Sequence, residues 1–329
     1  MTRPNRKPIV YFANSYQMRV VHRLWRDGRF PENHLWGATA LEAAGYDVRY
    51  SAFGANSSAL ERLSKLIKFR AGNLAQAVEA VRSRADVLYA GDPRCLKLFG
   101  LVRHMPPVVA LMHPVAPAPS SRLARRAAAR YQEVICLSRH VYDQVLQIPG
   151  RTPGNTSVLP WGPDLDFSGY RGREAGNVVV SVGRSGRDYA TLQTAAQLAD
   201  VELVIGPDLT FDQALSELRR AAVIAIPLEH PERMHGITEL NDALALAKPV
   251  VMTRSPFARD VDIEGIGCGI WVDPGDVDGW RRTLSNLAND AGLRDEMGSA
   301  GRQFAEREWN HERFGEGLVD IVARVVPSN

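Results

Sequence analysis

Short apolar runs alternate with helix-length amphipathic stretches along almost the whole chain. The runs predict strands at Pro8–Ala13, Asp47–Ala52, Asp86–Ala90, Val108–Met112, Glu133–Leu137, Thr156–Pro160, Asn177–Val182, Val201–Ile205, Val223–Pro227, Pro249–Met252 and Gly269–Val272. The amphipathic stretches predict helices at Leu35–Ala44, Ala59–Arg84, Arg122–Tyr131, Tyr189–Leu198, Phe211–Arg220, Glu239–Leu246, Asp276–Asn289, Leu293–Arg307 and Glu312–Val325. Strands that alternate with helices are typical of parallel sheets covered on both faces. The pattern therefore predicts an α/β protein.

A change of composition interrupts this pattern near the middle of the chain. Residues 162–176 are rich in glycine and carry few aliphatic side chains, which is the composition of a linker. We predict two Rossmann-like doubly wound domains, residues 1–161 and 177–308, that face a central cleft. Residues 309–329 are predicted to form a C-terminal helix that packs back on the N-terminal domain. Ligands of such sheets bind beyond the carboxyl ends of the strands, so the cleft is the predicted site.

Composition and charge are those of an ordinary globular protein. The 329 residues include 45% hydrophobic and 23% charged ones, and the net charge of +3 is too small to indicate nucleic-acid binding. The three cysteines lie far apart and match no metal or redox spacing. The polar N-terminus lacks a signal-peptide pattern, and no apolar run approaches the roughly 20 residues that span a bilayer. We expect a cytoplasmic protein that at most touches a membrane surface.

The clearest chemical signal follows the predicted strand that begins near Val178. The strand leads into a loop with Gly183, Arg184 and Arg187, and a helix begins near Asp188. Glycine lets the backbone approach a ligand, and a helix N-terminus offers free N–H groups with a partial positive charge. Two arginines there would complete a diphosphate site through charge-assisted hydrogen bonds. The alternative is a surface loop whose arginines are solvated, with Asp188 as the N-cap.

A second candidate segment begins at His235 and reads HGITELNDALALAKPVV. Gly236, Ile237 and Thr238 form a turn that opens a helix, and their N–H groups are expected to face the same cleft. Asp242 lies one turn into this helix, where a carboxylate can accept hydrogen bonds from a ribose diol. The alternative is an ordinary capped helix with Thr238 as its N-cap.

Together the two segments resemble the donor half of the family-4-type retaining glycosyltransferases of the GT-B fold. In that family a strand ends in Gly-Arg, a basic residue follows a few positions later, and a Gly-x-Thr or Glu-Gly-x-Gly turn precedes a helix reading roughly L-L-E-A-M-A-x-G-K-P-V-V. This chain reads LNDALALAKPVV from Leu240. VLPWGPDLDF (residues 158–167) and ICLSRHVYDQVL (residues 135–146) resemble the family's linker motif and the strand and helix before it. The ordered set covers nearly the whole chain.

The resemblance implies a glycosyltransferase that moves a hexose or deoxyhexose from a nucleoside diphosphate to a small-molecule, glycan or glycolipid acceptor, with retention at the anomeric carbon. It assigns Arg184 and Arg187 to the donor diphosphate and Asp242 to the ribose. It assigns a catalytic contact with the donor sugar to His113; the alternative is a histidine packed under the following proline-rich loop. No cofactor is expected, and no metal either, because no Asp-x-Asp resembling a metal site lies beside these residues.

Two further features bear on the acceptor. Asn14, Tyr16 and Trp36, in loops of the first domain, are predicted to line the acceptor side, although core packing explains Trp36 about equally well. Basic amphipathic stretches at Leu60–Arg70 and at residues 122–130 suit peripheral contact with a membrane. The alternative is a core-facing helix with a solvated basic face.

The sequence departs from the family at Met234, where the family often has an acidic residue that contacts the transferred sugar. Glu232 and Glu239 lie nearby, but neither has the family's spacing. Two other functions therefore stay open, a nucleotide-sugar epimerase of the same fold and a non-catalytic partner that binds a nucleotide sugar or a transferase. A dinucleotide oxidoreductase is disfavoured because no G-x-G-x-x-G follows the first strand.

Overall fold

The computed structural model describes residues 6–51, 71–92, 95, 105–112, 126–170 and 178–326. Contacts divide the chain into two compact units, Met1–Trp161 together with His311–Asn329, and Gly162–Asn310. We call them the N-terminal and C-terminal units. Each is built on one parallel sheet, so the prediction of two doubly wound α/β domains is confirmed.

The sheet of the N-terminal unit has six strands. They are β1 (Ile9–Ala13), β2 (Asp47–Tyr50), β3 (Val87–Ala90), β4 (Val108–Met112), β5 (Tyr131–Cys136) and β6 (Thr156–Val158), in the order β2-β1-β3-β4-β5-β6. Its first helices are α1 (Met18–Arg26), α2 (Ala38–Ala43), α3 (Ala71–Ser83) and α4 (Arg139–Val145). The central strands β1 and β3 are buried along their whole length, which is why they read as continuous apolar runs.

The sheet of the C-terminal unit has five strands. They are β7 (Val178–Ser181), β8 (Leu203–Ile205), β9 (Ala221–Ile226), β10 (Val250–Thr253) and β11 (Gly269–Val272), in the order β11-β10-β9-β7-β8. Its helices are α5 (Tyr189–Ala199), α6 (Phe211–Arg220), α7 (Ile237–Ala245), α8 (Ile263–Ile266), α9 (Val277–Asn289) and α10 (Ala291–Arg307). Val180 and Ile224 pack in the core beside α7, whereas Val179 and Val223 pack in the core beside α5 and α9. Successive strand residues thus bury on opposite faces, as a sheet covered by helices on both sides requires.

The last helix, α11 (His311–Val325), belongs to the N-terminal unit and packs against α2. The close approach depends on Gly37, the residue before α2. Gly37 has φ +74°, and a Cβ there would lie 2.8 Å from a side-chain carbon of Leu318 and 3.3 Å from one of Phe314. A larger residue at this position would have to displace the Leu318 side chain and would be strained by the positive φ.

Every strand predicted from the sequence is present, with its ends shifted by a few residues. The prediction missed α1, a short helix with three arginines among its nine residues. The helix predicted over Ala59–Arg84 is described from Ala71 onward, and the predicted Leu60–Arg70 stretch lies outside the described residues. No helix in the described part of the chain is long and apolar enough to cross a membrane.

Candidate functional site

The loop after β7, residues 182–188, lies at the carboxyl edge of the C-terminal sheet. Because β7 sits between β9 and β8, the loop has the segments after both of these strands as neighbours. The backbone of Gly186 accepts a hydrogen bond from the Glu229 N–H at 3.0 Å, and the Asp188 N–H donates to the carbonyl of Pro227 at 3.2 Å. The side chain of Asp188 caps α5 by accepting from the N–H of Thr191 at 3.1 Å. The C-terminal end of the loop is thus fixed to the segment after β9 by backbone hydrogen bonds.

Arg184 is exposed and reaches over the loop that follows β8. Its Nε donates to the carbonyl of Pro207 at 3.0 Å, and its Nη2 donates to the carbonyl of Leu209 at 2.7 Å. Both partners are neutral, so these bonds orient the guanidinium without neutralising its charge. Arg184 is therefore an available cation at the edge of the site.

Arg187 has a different environment, because its side chain is only 6% exposed. The guanidinium lies across the backbone of Gly183, where a Cβ would come within 2.2 Å of Nε. Its Nη2 forms an ion pair with Glu239, and its Nη1 donates to the carbonyl of Ser185 at 2.7 Å. The Nε atom is buried and has no hydrogen-bond partner among the described residues. Glycine at position 183 is thus required by the path of this side chain.

Glu239 connects this arginine to the first turn of α7. It is the third residue of the helix, its side chain is 5% exposed, and it also accepts a hydrogen bond from the Val182 N–H at 3.2 Å. The helix N-cap is Gly236, with φ +84° and no side-chain cap. The alternative that Thr238 serves as N-cap is therefore wrong, since Thr238 is the second residue inside the helix. Uncapped N–H groups at the start of α7 face the loop that carries Arg187, a combination that attracts anions.

Asp242 lies on the second turn of α7, on the same face as Glu239. It is buried, and its Oδ1 accepts a hydrogen bond from the Tyr170 hydroxyl at 2.6 Å. Burial raises the pKa of Asp242 to about 7; the Tyr170 hydrogen bond opposes this shift, and the charge of Glu239 adds to it. Tyr170 lies in the segment predicted to be a linker, and no sequence signal singled it out. A ligand hydroxyl at this carboxylate would share it with Tyr170.

His235 is a second residue that the sequence reasoning gave no role. It immediately precedes the N-cap of α7, and its Nδ1 atom is buried without a described hydrogen-bond partner. The ring rests against Gly186, which has φ +62°; a Cβ there would lie 2.2 Å from Nδ1. Burial and then the charge of Arg187 lower the pKa of His235. Its position next to the glycine that opens α7 was the feature of the sequence that could have identified it as a candidate site residue.

Glu232, one of the two acidic residues near Met234, pairs within its own loop and not with Arg187. Glu232 is exposed and pairs with His230 at 3.4 Å and with Arg233 at 3.8 Å, all within the loop after β9. Met234 is half-buried. Of the two glutamates weighed from the sequence, the structure brings Glu239 and not Glu232 to Arg187.

The residues predicted on the acceptor side lie in the N-terminal unit. Trp36 is 7% exposed and stacks on Trp161, with ring centroids 4.6 Å apart and an interplanar angle of 12°. Its indole nitrogen donates to the hydroxyl of Tyr16, which in turn donates to the carbonyl of His34 at 2.9 Å. Asn14 is 2% exposed. Trp36 and Asn14 are thus packed inside the unit, and Tyr16 is the partly accessible member of the three. His113 lies outside the described residues.

Comparison with known proteins finds similar structures but no similar sequences. No protein-family model matches the chain, and no curated protein sequence does. Solved structures do match. A glycosyltransferase from Rickettsia africae has 13% identity and a TM-score of 0.69 over 99% of this chain and 100% of its own. The sucrose-phosphate synthase of Thermosynechococcus elongatus has 12% identity and a TM-score of 0.69, with 97% and 99% coverage. HepE from Anabaena, solved with UDP and glucose, has 15% identity and a TM-score of 0.65, with 97% and 100% coverage.

This chain has the GT-B fold. The GT-B resemblance inferred from the sequence is therefore confirmed at the level of fold. At identities this low the likeness establishes architecture, while the chemistry has to be argued from the residues of the site.

Proposed function

We propose that this chain is a glycosyltransferase whose C-terminal unit binds the diphosphate of a nucleotide-sugar donor. The observation that carries the proposal is the burial of the Arg187 side chain together with its unpartnered Nε atom. Its side chain is almost fully buried at the first turn of α7, with Nε unpartnered. A buried donor without an acceptor is costly, and an anionic oxygen at the uncapped start of α7 would satisfy it. The GT-B fold, shared with glycosyltransferases, supports the same conclusion.

In this proposal the protein stabilises the leaving group. The bond from the anomeric carbon to the β-phosphate oxygen breaks, a bond to the acceptor oxygen forms, and the acceptor's proton passes to the departing diphosphate. Negative charge grows on the diphosphate, where Arg184, Arg187 and the N–H groups of Ile237 and Thr238 would stabilise it. No protein nucleophile is needed, and we propose retention at the anomeric carbon, without a metal ion.

The remaining roles follow the same assignment. Asp242 would accept a hydrogen bond from a ribose hydroxyl, with Tyr170 holding the carboxylate in place. On the N-terminal side we propose Tyr16 for the acceptor and His113 for the donor sugar. The sugar is a hexose or deoxyhexose, and the acceptor is a small molecule, glycan or glycolipid.

A thermal-shift screen tests donor binding. We would measure melting temperatures with UDP, GDP and TDP and with the glucose conjugate of each, beginning with UDP because the HepE structures contain it. A ligand at about 100 times its dissociation constant adds roughly 2.7 kcal/mol to the stability, which gives a visible shift. Free nucleosides serve as controls and should shift the melting temperature far less. If none of the six diphosphates raises it, the proposed function is wrong.

A second assay tests the reaction itself. Release of nucleoside diphosphate from the bound nucleotide sugar, without and with candidate acceptors, should be detectable and should persist in EDTA. Release that EDTA abolishes would contradict metal independence. Binding without any release would favour a non-catalytic partner, and an altered free sugar would favour an epimerase.

A further inference from the structure

His235 occupies a position that suits direct contact with a bound anion. It lies between the N-cap of α7 and the loop after β7, with its ring against the backbone of Gly186. Two buried nitrogen atoms without a described partner belong to residues beside the start of α7: Nδ1 of His235, which precedes the N-cap, and Nε of Arg187, which pairs with Glu239 of the first turn. The Arg187 side chain is 6% exposed, so water cannot readily satisfy Nε. This pair of orphaned nitrogens is independent of the helix terminus and points to a missing acceptor.

The charges around His235 explain its protonation state in the absence of a ligand. Arg187 faces it from the loop after β7, and Arg233 and His230 face it from the loop after β9. Burial and these cations disfavour the imidazolium, and Glu232 opposes them only weakly, so that the pKa of His235 is lowered. Glu239, on α7, is already paired with Arg187. The imidazole is therefore neutral at neutral pH.

We propose that His235 is a third side chain of the diphosphate site, neutral in the ligand-free protein and protonated when a nucleotide sugar binds. The inference rests on the proposed function and adds to it a residue that the resemblance did not assign. A bound diphosphate brings two negative charges beside the ring, which reverses the sign of the local potential and favours the imidazolium. The imidazolium then donates to a phosphate oxygen, as Arg184 and Arg187 do.

The sign of the pH dependence follows from this change. Binding raises the pKa of His235 from its lowered value, so the complex holds more protons than the free protein at any pH between the two values. Donor affinity should therefore fall as the pH rises through that window, by up to about tenfold per pH unit. The diphosphate of a nucleotide sugar has no terminal phosphate group and does not titrate there, so the protein must be the source of the effect.

Isothermal titration calorimetry tests this assignment on the full chain. The probe is the glucose conjugate that shifts the melting temperature most in the screen above, titrated from pH 6 to pH 8 in two buffers of different ionisation enthalpy. The wild type should take up a fraction of a proton near pH 7. His235→Asn keeps a neutral polar side chain and should lose the part of the uptake and of the pH dependence that His235 carries, while any proton exchange at Asp242, whose pKa is about 7, remains as in the wild type. His230→Asn is the matched control, because it removes an exposed histidine from the same loop, and it should behave like the wild type.

Each outcome decides the inference. Equal proton uptake in the wild type and His235→Asn, or no uptake in the wild type, overturns it while leaving donor binding intact. If no conjugate binds at any pH, the proposed function fails and this assignment fails with it. Histidine NMR of the wild type gives a reading that needs no variant: one imidazole should shift toward the protonated form when the conjugate is added. Absence of that shift in a protein that binds the conjugate would also overturn the inference.

Discussion

Arg187 and Glu239 form an ion pair whose side chains are 6% and 5% exposed, at the point where the loop after β7 meets the first turn of α7. Glu239 uses its second oxygen to accept a hydrogen bond from the backbone of Val182. The two arginines of the loop are therefore not equivalent. Arg187 stabilises the site as well as being a candidate contact to the donor, whereas the hydrogen bonds of Arg184 to the described part of the chain go to carbonyl groups at the surface.

This difference gives the first prediction. Arg187→Ala leaves the Glu239 carboxylate buried without its partner, which should lower the free energy of unfolding by about 3–5 kcal/mol. The double variant Arg187→Ala with Glu239→Gln removes the stranded charge and should recover part of that loss. Urea denaturation of the ligand-free proteins measures both. A single variant as stable as the wild type would mean that the ion pair is absent in solution.

Arg184→Ala should weaken donor binding without lowering the stability of the ligand-free protein. Because the side chain is exposed and bonded to neutral carbonyls, the ligand-free protein should keep its melting temperature. Nucleoside diphosphate affinity should fall ten- to a hundredfold, the equivalent of about 1.5–3 kcal/mol for a lost charge-assisted bond. Arg281→Ala, on the surface of α9 and paired with Asp278, is the control and should bind normally. Normal binding by Arg184→Ala would remove Arg184 from the donor site.

Asp242 predicts a pH dependence of stability. Its pKa is about 7 in the folded protein against an ordinary aspartate value near 3.8, so the folded state binds more protons between these values. The wild type should therefore lose stability as the pH rises from about 4 to about 7 and change little from this source above that range. Asp242→Asn should remove that component, as seen in urea denaturation at pH 5 and pH 8. Tyr170→Phe removes a hydrogen bond that lowers the Asp242 pKa. The pKa of Asp242 should therefore rise further in this variant, and its stability should fall more with rising pH than that of the wild type.

A variant of the exposed Asp278 distinguishes the effect of the buried Asp242 on stability from the effect of removing any one carboxylate. Asp278→Asn should show the pH dependence of the wild type, because that carboxylate lies at the surface. If Asp242→Asn and Asp278→Asn respond alike, the assignment of the pH dependence to the buried carboxylate is wrong.

Gly186 offers a test of the contact with His235. Gly186→Ala should strain the backbone at φ +62°, at roughly 1–2 kcal/mol, and its Cβ would displace the His235 ring. Gly275 has φ +72° with no atom within 4 Å of a built Cβ, so Gly275→Ala carries the strain without the clash. Both variants should lose similar backbone stability, but only Gly186→Ala should weaken binding of the nucleotide sugar. Equal donor affinity in the two variants would show that the His235 position does not matter to the ligand.

The alternation of apolar runs and amphipathic stretches determined the architecture of this protein. Buried parallel strands must be apolar throughout, and the runs at Val178, Val223 and Val250 mark β7, β9 and β10 within a few residues. The glycines and arginines of the loop after β7 were also visible as a candidate anion site. Helix α1 was not predicted although Met18, Val21 and Trp25 recur at helical spacing, because it has only nine residues and three of them are arginines.

Only the tertiary structure decided which candidate residues pair with each other and which are buried. Sequence spacing carries no information about which side chains meet when they come from different loops. The pairing of Arg187 with Glu239, 52 positions away, and that of Asp242 with Tyr170, 72 positions away, are such contacts. Trp36 could be read as an acceptor contact or as core until its stacking on Trp161 became visible. Burial and partner choice are properties of the packed chain, because desolvation depends on every neighbour that excludes water.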